Sequence, residues 1–252
     1  KKAGDEIMRI YQQDFDVDYK KDNSPLTKAD IKSNEIINES LKDLYPKIPI
    51  LSEENKEVPY NIRRNWEYFW LIDPLDGTKE FVKKNGEFTV NIALIYKNIP
   101  VLGVIYAPTL NLLYYAHKDR GAFKQEKNKK PQRLPIYKHA KDDAFKVIVS
   151  KSHYNQETRD FVNNLKNKFK KTIEFIRIGS SLKLCLIAEG KADIYPRLAP
   201  TMEWDTAAGQ VIVEQAGGEV LNFKTKKPLE YNKKNLCNSY FFLKKKRYLQ
   251  FE

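Results

Sequence analysis

The sequence has few cysteines and no long apolar segment. Only Cys185 and Cys237 occur among the 252 residues, both in apolar surroundings and without the spacing of a metal-binding pair. Two such thiols are expected to be reduced core side chains, which predicts a cytoplasmic protein. No apolar run approaches the ~20 residues that span a bilayer, and residues 1–15 lack the apolar centre of a signal peptide. The sequence leaves open a peripheral association with the inner face of a membrane.

Internal repeats and Gly/Ser-rich linkers are also absent. The most polar stretch is 118–142, which makes it the best candidate for a boundary between two parts of the chain. The length fits one large domain or two closely packed lobes. We therefore predict an N-terminal lobe at 1–135, with most of the candidate ligands described below, and a C-terminal lobe at 136–252.

The charge is strongly positive, because 45 basic residues outnumber 33 acidic ones and give a formal net charge of +12. Such a charge can indicate nucleic acid or an anionic small molecule as the partner. However, the lysines are spread from end to end, and the basic runs at 127–130 and 244–247 contain no aromatic residues. Scattered lysines are typical of a solvated surface. We therefore expect no nucleic-acid partner and keep a nucleic-acid-binding module as the least favoured alternative.

Apolar periodicity predicts alternating helices and strands. The predicted helices are 1–13, 29–44, 155–170, 180–189 and 203–216. The predicted strands are 66–72, 88–96, 101–108, 111–117, 145–150, 172–178, 192–197, 218–223 and 238–243. This mixture indicates an α+β fold with mixed sheets stacked in layers.

The segment WLIDPLDGTKEF (70–81) contains the most informative group of residues. The apolar strand is predicted to end at Asp73, and Asp76 follows within three residues. Two carboxylates at the end of a buried strand are costly to desolvate unless a cation neutralises them, and Mg²⁺ favours such oxygen ligands. Backbone amides of Gly77 and Thr78 would point at an anion if a helix begins there. A bare D-x-x-D-G-T pattern more often marks a capped turn, but the complete string is far more specific.

Three other segments add acids, each with an ordinary structural alternative. Glu53 and Glu54 lie in LSEE (51–54), which by itself is most simply a loop with solvated charges. Asp205, in EWDTAAG (203–209), is by itself a helix cap. Thr27 and Asp30, in SPLTKAD (24–30), have the spacing of a capping interaction.

These four segments, in this order and spacing, resemble the inositol-monophosphatase-like, lithium-sensitive phosphatases over essentially the whole chain. Four stretches resemble the CysQ-type 3'(2'),5'-bisphosphate nucleotidases more than the inositol monophosphatases proper. They are GTKEF (77–81), NGEFTVNIALI (85–95), GSSLKLCLIAEGKADIYPR (179–197) and EWDTAAGQ (203–210). The resemblance implies a layered αβαβα sandwich like that of inositol monophosphatase and fructose-bisphosphatase.

The resemblance also implies two or three Mg²⁺ ions and a role for each acid. Glu53, Asp73 and the backbone carbonyl of Leu75 would bind the first ion. Asp73, Asp76 and Asp205 would bind the second, with Glu54 behind the ligands. Asp30 and Thr78 would be catalytic together with Asp76, by orienting the water that the metal activates. No phospho-enzyme is implied.

Substrate contacts are implied for both halves of the chain. The amides of Gly77 and Thr78 would hold the scissile phosphate. His153, Ser180, Lys183 and Arg197 would lie near the nucleotide, with Lys183 and Arg197 facing its second phosphate or its base and sugar. The structural alternatives are an exposed helix position for Lys183, a surface charge for Arg197 and a structural histidine for His153.

The implied activity is the hydrolysis of 3'-phosphoadenosine 5'-phosphate to AMP and phosphate, a reaction of sulfur metabolism. The alternative is an inositol or sugar monophosphatase, which would share the acid cluster and differ in the pocket. The resemblance leaves a monomer and a homodimer equally open.

Overall fold

The computed structural model describes residues 1–137, 144–150 and 155–245. Its helices and sheets stack in five layers, in the order helix, sheet, helix, sheet, helix. Within the described ranges, no helix combines the length and the apolar character needed to cross a membrane. The layered α+β architecture, with its αβαβα order, confirms the prediction.

Two long helices form the first layer. α1 (Lys2–Tyr11) and α2 (Lys28–Leu44) pack against one face of the first sheet. Thr27 caps α2, since the Ala29 amide donates to its hydroxyl at 3.2 Å. Between the helices lies a short hairpin of β1 (Val17–Tyr19) and β2 (Pro25–Thr27). The hairpin was not predicted, because three-residue strands are too short to show an apolar period.

The first sheet has seven strands in chain order, of which β3 and β4 are parallel and the rest antiparallel. They are β3 (Ile50–Ser52), β4 (Tyr68–Asp76), β5 (Thr89–Tyr96), β6 (Ile99–Ala107), β7 (Leu112–His117), β8 (Gly121–Glu126) and β9 (Gln132–Arg133). α3 (Tyr60–Arg63) precedes β4, and α4 (Thr78–Val82) follows it.

β4 is the second strand of this sheet, between β3 and β5, and contacts both helical layers. Trp70 and Ile72 pack against α1 and α2, whereas Phe69 and Leu71 face the third layer. This alternation follows from the two-residue period of a strand. The predicted end of this strand at Asp73 is wrong, because pairing with β5 continues to Asp76 across an irregular register. Proline lacks a ladder donor and is tolerated at such irregularities, which explains how Pro74 lies within the strand.

The third layer consists of α6 (Leu182–Glu189) and α7 (Glu203–Gln215), packed between the two sheets. The second sheet has the order β11-β10-β12-β14-β13. Its strands are β10 (Phe145–Val149), β11 (Ile173–Arg177), β12 (Ile194–Arg197), β13 (Gly218–Asn222) and β14 (Phe241–Lys245). α5 (Gln156–Phe169) covers its outer face through Val162 and Leu165.

Most predicted elements agree with the structure to within a few residues. The polar stretch 118–142, however, contains β8 and β9, so this part of the predicted boundary belongs to the first sheet. The first sheet ends at Arg133 and the second begins at Phe145, on either side of the predicted division at residues 135 and 136. The division into two lobes remains a prediction.

Candidate active site

A cavity of about 280 Å³ lies where β4 ends and where α4, α6 and α7 begin. Ten of the residues singled out from the sequence line it: Glu53, Asp73, Leu75, Asp76, Gly77, Thr78, Ser180, Lys183, Arg197 and Asp205. Asp30 and Glu54 lie behind this wall. His153 lies outside the described residues.

Each of the three aspartates is held through one carboxylate oxygen. Asp73 Oδ1 accepts the Leu75 amide at 3.1 Å, and Asp76 Oδ2 accepts the Ser181 hydroxyl at 2.7 Å. Asp205 Oδ2 accepts the amide of Met202 at 2.9 Å, which also caps α7. No donor within the described residues reaches the second oxygen of any of the three. Those oxygens are available to a ligand.

Burial and the neighbouring charges make Asp73 and Asp205 hard to ionise. Burial raises the pKa of Asp73 well above its usual range, and the charges of Glu53, Asp76, Asp205 and Asp30 raise it further. The pKa of Asp205 rises to about 8, chiefly through burial and then through the charges of Asp76 and Glu53. Like charges in one low-dielectric site cannot all ionise without a cation.

This donor set fits hard divalent cations. Carboxylate oxygens and a carbonyl are the ligands that Mg²⁺ prefers, and the cavity wall offers both. Among the described residues, no three Asp, Glu, His or Cys side chains are grouped closely enough to hold a metal ion. The acids lie near enough to raise the pKa of Asp73 and Asp205 without converging on one point.

Lys20 forms ion pairs beside the aspartates. Its ammonium contacts Glu53 Oε1 at 2.7 Å and Glu54 Oε1 at 2.5 Å. Burial favours the neutral amine, but the two carboxylates outweigh this effect and raise the pKa of Lys20. Glu53 lines the cavity, whereas Glu54 is not among the lining residues, and its place behind the metal ligands remains a prediction. Lys20 itself was not predicted, since it belongs to the turn of the unpredicted hairpin.

Asp30 reaches the cavity through Thr78. The Thr78 hydroxyl donates to Asp30 Oδ1 at 2.9 Å, while Asp30 Oδ2 accepts the amide and the hydroxyl of Thr27 at 2.7 and 2.6 Å. Burial raises the pKa of Asp30, although these hydrogen bonds oppose the shift. Asp30 therefore makes the capping contacts with Thr27 through Oδ2 and contacts Thr78 through Oδ1. The capping role and the proposed functional role thus use different oxygens of one side chain.

Gly77 connects β4 to α4 in a conformation that favours glycine. Its φ is +93°, and a Cβ there would lie 3.0 Å from the Glu87 carbonyl oxygen and 3.3 Å from Ser180 Cβ. Thr78 begins α4, so its amide is one of the first-turn N–H groups that have no partner within a helix. The backbone at Gly77 thus lies close to neighbouring residues, and that of Thr78 places an amide at the cavity.

Basic and aromatic side chains form another part of the cavity wall. Lys183 lies over the Tyr195 ring at 5.9 Å, so it does not occupy the exposed helix position considered as its alternative. Burial lowers the pKa of Lys183 to about 8, against the charge of Asp76. Arg197 is 7% exposed and donates to the Pro200 carbonyl at 2.7 Å, so it is not a surface charge. Within the described chain its Nε has no hydrogen-bond partner.

Two residues in contact with the acids escaped the sequence analysis. Ser181 and Asn91 are both buried and hydrogen-bonded to each other and to Asp76. Both belong to stretches that resemble the nucleotidases, 179–197 and 85–95, but nothing in the residue types gave them a role. Asn91 reaches the acid from β5, which pairs with β4, and Ser181 reaches it from the start of α6.

The model of the inositol monophosphatase family matches residues 1–249. The 3'(2'),5'-bisphosphate nucleotidase CysQ of Buchnera aphidicola is 48% identical over 86% of this chain and 79% of its own length. The protein of the same name from Escherichia coli K12 is 44% identical over 91% of this chain and 89% of its own. The crystal structure of CysQ from Bacteroides thetaiotaomicron has a TM-score of 0.87 and 45% identity, covering 98% of this chain and 94% of that one. The chain belongs to the inositol monophosphatase family.

Proposed function

We propose that this protein is a Mg²⁺-dependent 3'(2'),5'-bisphosphate nucleotidase that hydrolyses 3'-phosphoadenosine 5'-phosphate to AMP and phosphate. The observation that supports this most directly is the composition of the cavity, which joins a group of carboxylates to a wall with Lys183 and Arg197. The carboxylates suit cations that receive a phosphate, and the basic wall suits a second anionic group. The relatives named as nucleotidases support the same substrate class.

The proposed ligands of two Mg²⁺ ions are the acids that line the cavity. Glu53, Asp73 and the carbonyl of Leu75 would hold one ion, and Asp73, Asp76 and Asp205 the other. A third, weaker ion near Asp30 belongs to the same proposal. When bound, the ions acidify water and offset charge on the phosphoryl oxygens. Inhibition by Li⁺ would follow from displacement of one of them.

Asp30 and Thr78 are proposed to orient the attacking water. The single hydroxyl proton of Thr78 is directed to Asp30 Oδ1 at 2.9 Å. A hydroxyl that donates its proton keeps two lone pairs, so the Thr78 oxygen can accept a hydrogen from a water in the cavity. Asp30 thereby fixes the orientation of the Thr78 hydroxyl, and this hydroxyl in turn orients the water.

The substrate is proposed to bridge both walls. The amides of Gly77 and Thr78 would receive the scissile 3'-phosphate. Ser180, Lys183, Arg197 and His153 would contact the remainder of the nucleotide, with Lys183 and Arg197 facing the 5'-phosphate or the base and sugar. Hydrolysis adds water across the bond between phosphorus and the 3'-oxygen, which leaves with a proton as the ribose hydroxyl.

The proposal extends to the setting of the enzyme. Cys185 and Cys237 are both free thiols, which suits a cytoplasmic protein, with peripheral association at the inner membrane face as the alternative. A monomer or a homodimer would each leave the cavity complete within one chain.

The test is phosphate release from 3'-phosphoadenosine 5'-phosphate and from inositol 1-phosphate, measured side by side with Mg²⁺ and with EDTA. We expect fast release from the nucleotide that requires Mg²⁺. Preference for the inositol ester would retain the proposed metal site but reject the role assigned to the wall with Lys183 and Arg197. No release from any bisphosphate nucleotide would reject the proposed function.

A further inference from the structure

The hydroxyl of Ser181 joins the two halves of the acid cluster. Its Oγ lies 2.7 Å from Asp76 Oδ2, at the end of β4, and 2.8 Å from the carbonyl oxygen of Asp205, in the first turn of α7. The Asn91 amide donates to the same Oγ at 2.9 Å. Ser181 is 1% exposed, so water does not compete for these contacts.

Proton counting determines the direction of the hydrogen bonds. A serine hydroxyl has one proton and two lone pairs, and the Asn91 amide group satisfies one lone pair. The proton is then shared between the Asp76 carboxylate and the Asp205 carbonyl. A carboxylate that binds a cation is ionised, and a hydrogen bond to an ionised carboxylate is stronger than one to a neutral carbonyl. With a cation at Asp76, the proton would therefore be directed to that carboxylate, which is also the nearer acceptor.

Helix capping does not account for this side chain. Ser181 immediately precedes α6, where serine usually caps the helix through its hydroxyl. Its hydroxyl makes no capping bond to α6 and instead contacts the acid. Asn91 has a matching arrangement: it is 1% exposed, and its Oδ1 has no partner within the described residues. Its amide group nevertheless donates to Ser181 and, at 3.4 Å, to Asp76.

Asp76 needs such an anchor because the strand fixes only its backbone. The register between β4 and β5 shifts between Asp73 and Asp76, and pairing resumes with Asp76 and Thr89, which does not set the direction of the carboxylate. Holding Oδ2 leaves Oδ1 free for a ligand in the cavity that Asp76 lines. We propose that Ser181, oriented by Asn91, is a positioning residue that presents Asp76 Oδ1 to a divalent cation. The inference rests on the proposed function, in which Asp76 is a metal ligand.

The test is the dissociation constant for Mg²⁺ alone, measured by calorimetry without substrate for the full chain. Loss of a hydrogen-bonding partner behind a metal ligand typically weakens binding by about 10- to 100-fold. We expect Ser181→Ala, and equally Ser181→Gly, to raise the Mg²⁺ dissociation constant about tenfold. Ser181→Thr, which keeps the hydroxyl, should stay within about threefold of the unaltered protein. The Mg²⁺ concentration for half-maximal phosphate release should rise in parallel, and kcat at saturating Mg²⁺ should recover.

Ser33→Ala is the matched control. Ser33 is also fully buried, and its hydroxyl also donates to this strand, at 2.6 Å, but to the carbonyl of Pro74 instead of a carboxylate. The Mg²⁺ dissociation constant of Ser33→Ala should equal that of the unaltered protein. An unchanged constant in both Ser181→Ala and Ser181→Gly, or an equal loss in Ser33→Ala, would overturn the inference. Since the titration needs no nucleotide, a protein that binds Mg²⁺ yet fails to hydrolyse bisphosphates would reject the proposed function alone.

Discussion

Among single residues, Lys183 is the one whose protonation should govern substrate affinity near neutral pH. It lies in the cavity wall, and within the described chain its ammonium forms no ion pair. Burial lowers its pKa to about 8, and the opposing charge of Asp76 does not cancel that effect. The ammonium form therefore predominates below about pH 8 and is lost above it.

We accordingly expect the KM for 3'-phosphoadenosine 5'-phosphate to rise above about pH 8, by up to tenfold per pH unit, at saturating Mg²⁺. An anionic phosphate loses its partner when the amine becomes neutral. Lys183→Met should have a high KM without this pH dependence, and Lys183→Arg, which stays charged, should have a flat profile. The same rise of KM with pH in Lys183→Met would show that another group is titrating.

The sequence predicted the acids better than it predicted their supports. Asp73, Asp76 and Asp205 lie in segments whose residue types and order are distinctive, so a resemblance could assign them. Lys20 and Ser181 are a turn residue and a helix-start residue by local pattern. Their contacts with Glu53 and Asp76 span 33 and 105 positions in sequence. No local signal reports such pairs.

At the level of elements, the position of α7 depends on small residues. A Cβ at Gly103, on β6, would lie 2.4 Å from the Ala208 carbonyl oxygen and 2.9 Å from its Cα. β6 and α7 therefore approach closely, and Asp205 is placed by that approach. Two small residues of α7 make this approach possible, since Ala208 packs against Gly103 and Gly209 against Leu184.

Gly103→Ala should lower the free energy of unfolding by about 1–3 kcal/mol, the usual cost of overpacking. Two of the three nearest atoms belong to the Ala208 backbone, and the third is Cγ1 of Val211, so a change of the Val211 rotamer alone cannot make room. Urea denaturation with EDTA present measures this loss independently of metal. A variant as stable as the unaltered protein would show that the two elements separate easily.

Polar composition explains the elements that the sequence analysis missed. β8 and β9 have charged and polar residues among few apolar ones, and β3 has three residues. Such strands form because they hydrogen-bond to a neighbouring strand. Their own sequences do not show the periodicity of a strand. By contrast, the long apolar segments correctly predicted strands of both sheets and helices of all three helical layers.

For the molecule as a whole, the acid cluster couples stability to pH and to cations. The pKa values of Asp73, Glu53 and Asp205 are raised in the folded state, chiefly by burial. A folded state that holds protons more tightly than the unfolded chain is stabilised at low pH, and this contribution disappears as pH rises through the folded pKa. For Asp205 the interval runs from its ordinary 3.8 to about 8.

In EDTA, we expect the melting temperature to fall between about pH 5.5 and pH 8 as these carboxyls are forced to ionise. Mg²⁺ competes with the protons, so the increase that it causes should be larger at pH 8 than at pH 5.5. Differential scanning calorimetry, with NaCl at matched ionic strength as the control, measures both effects. An increase of equal size at the two pH values would contradict this coupling.

The contact between Ser181 and Asp76 also has a consequence for the order of events during synthesis. Asp30, Glu53, Asp73 and Asp76 leave the ribosome long before Ser181 and Asp205. Parts of a chain made first generally begin to fold first. The nascent protein therefore has an incomplete set of acids, without the hydroxyl that orients one of them, until α6 and α7 enter between the sheets. Under the proposed function, the capture of metal ions is thus a late step in the formation of this protein.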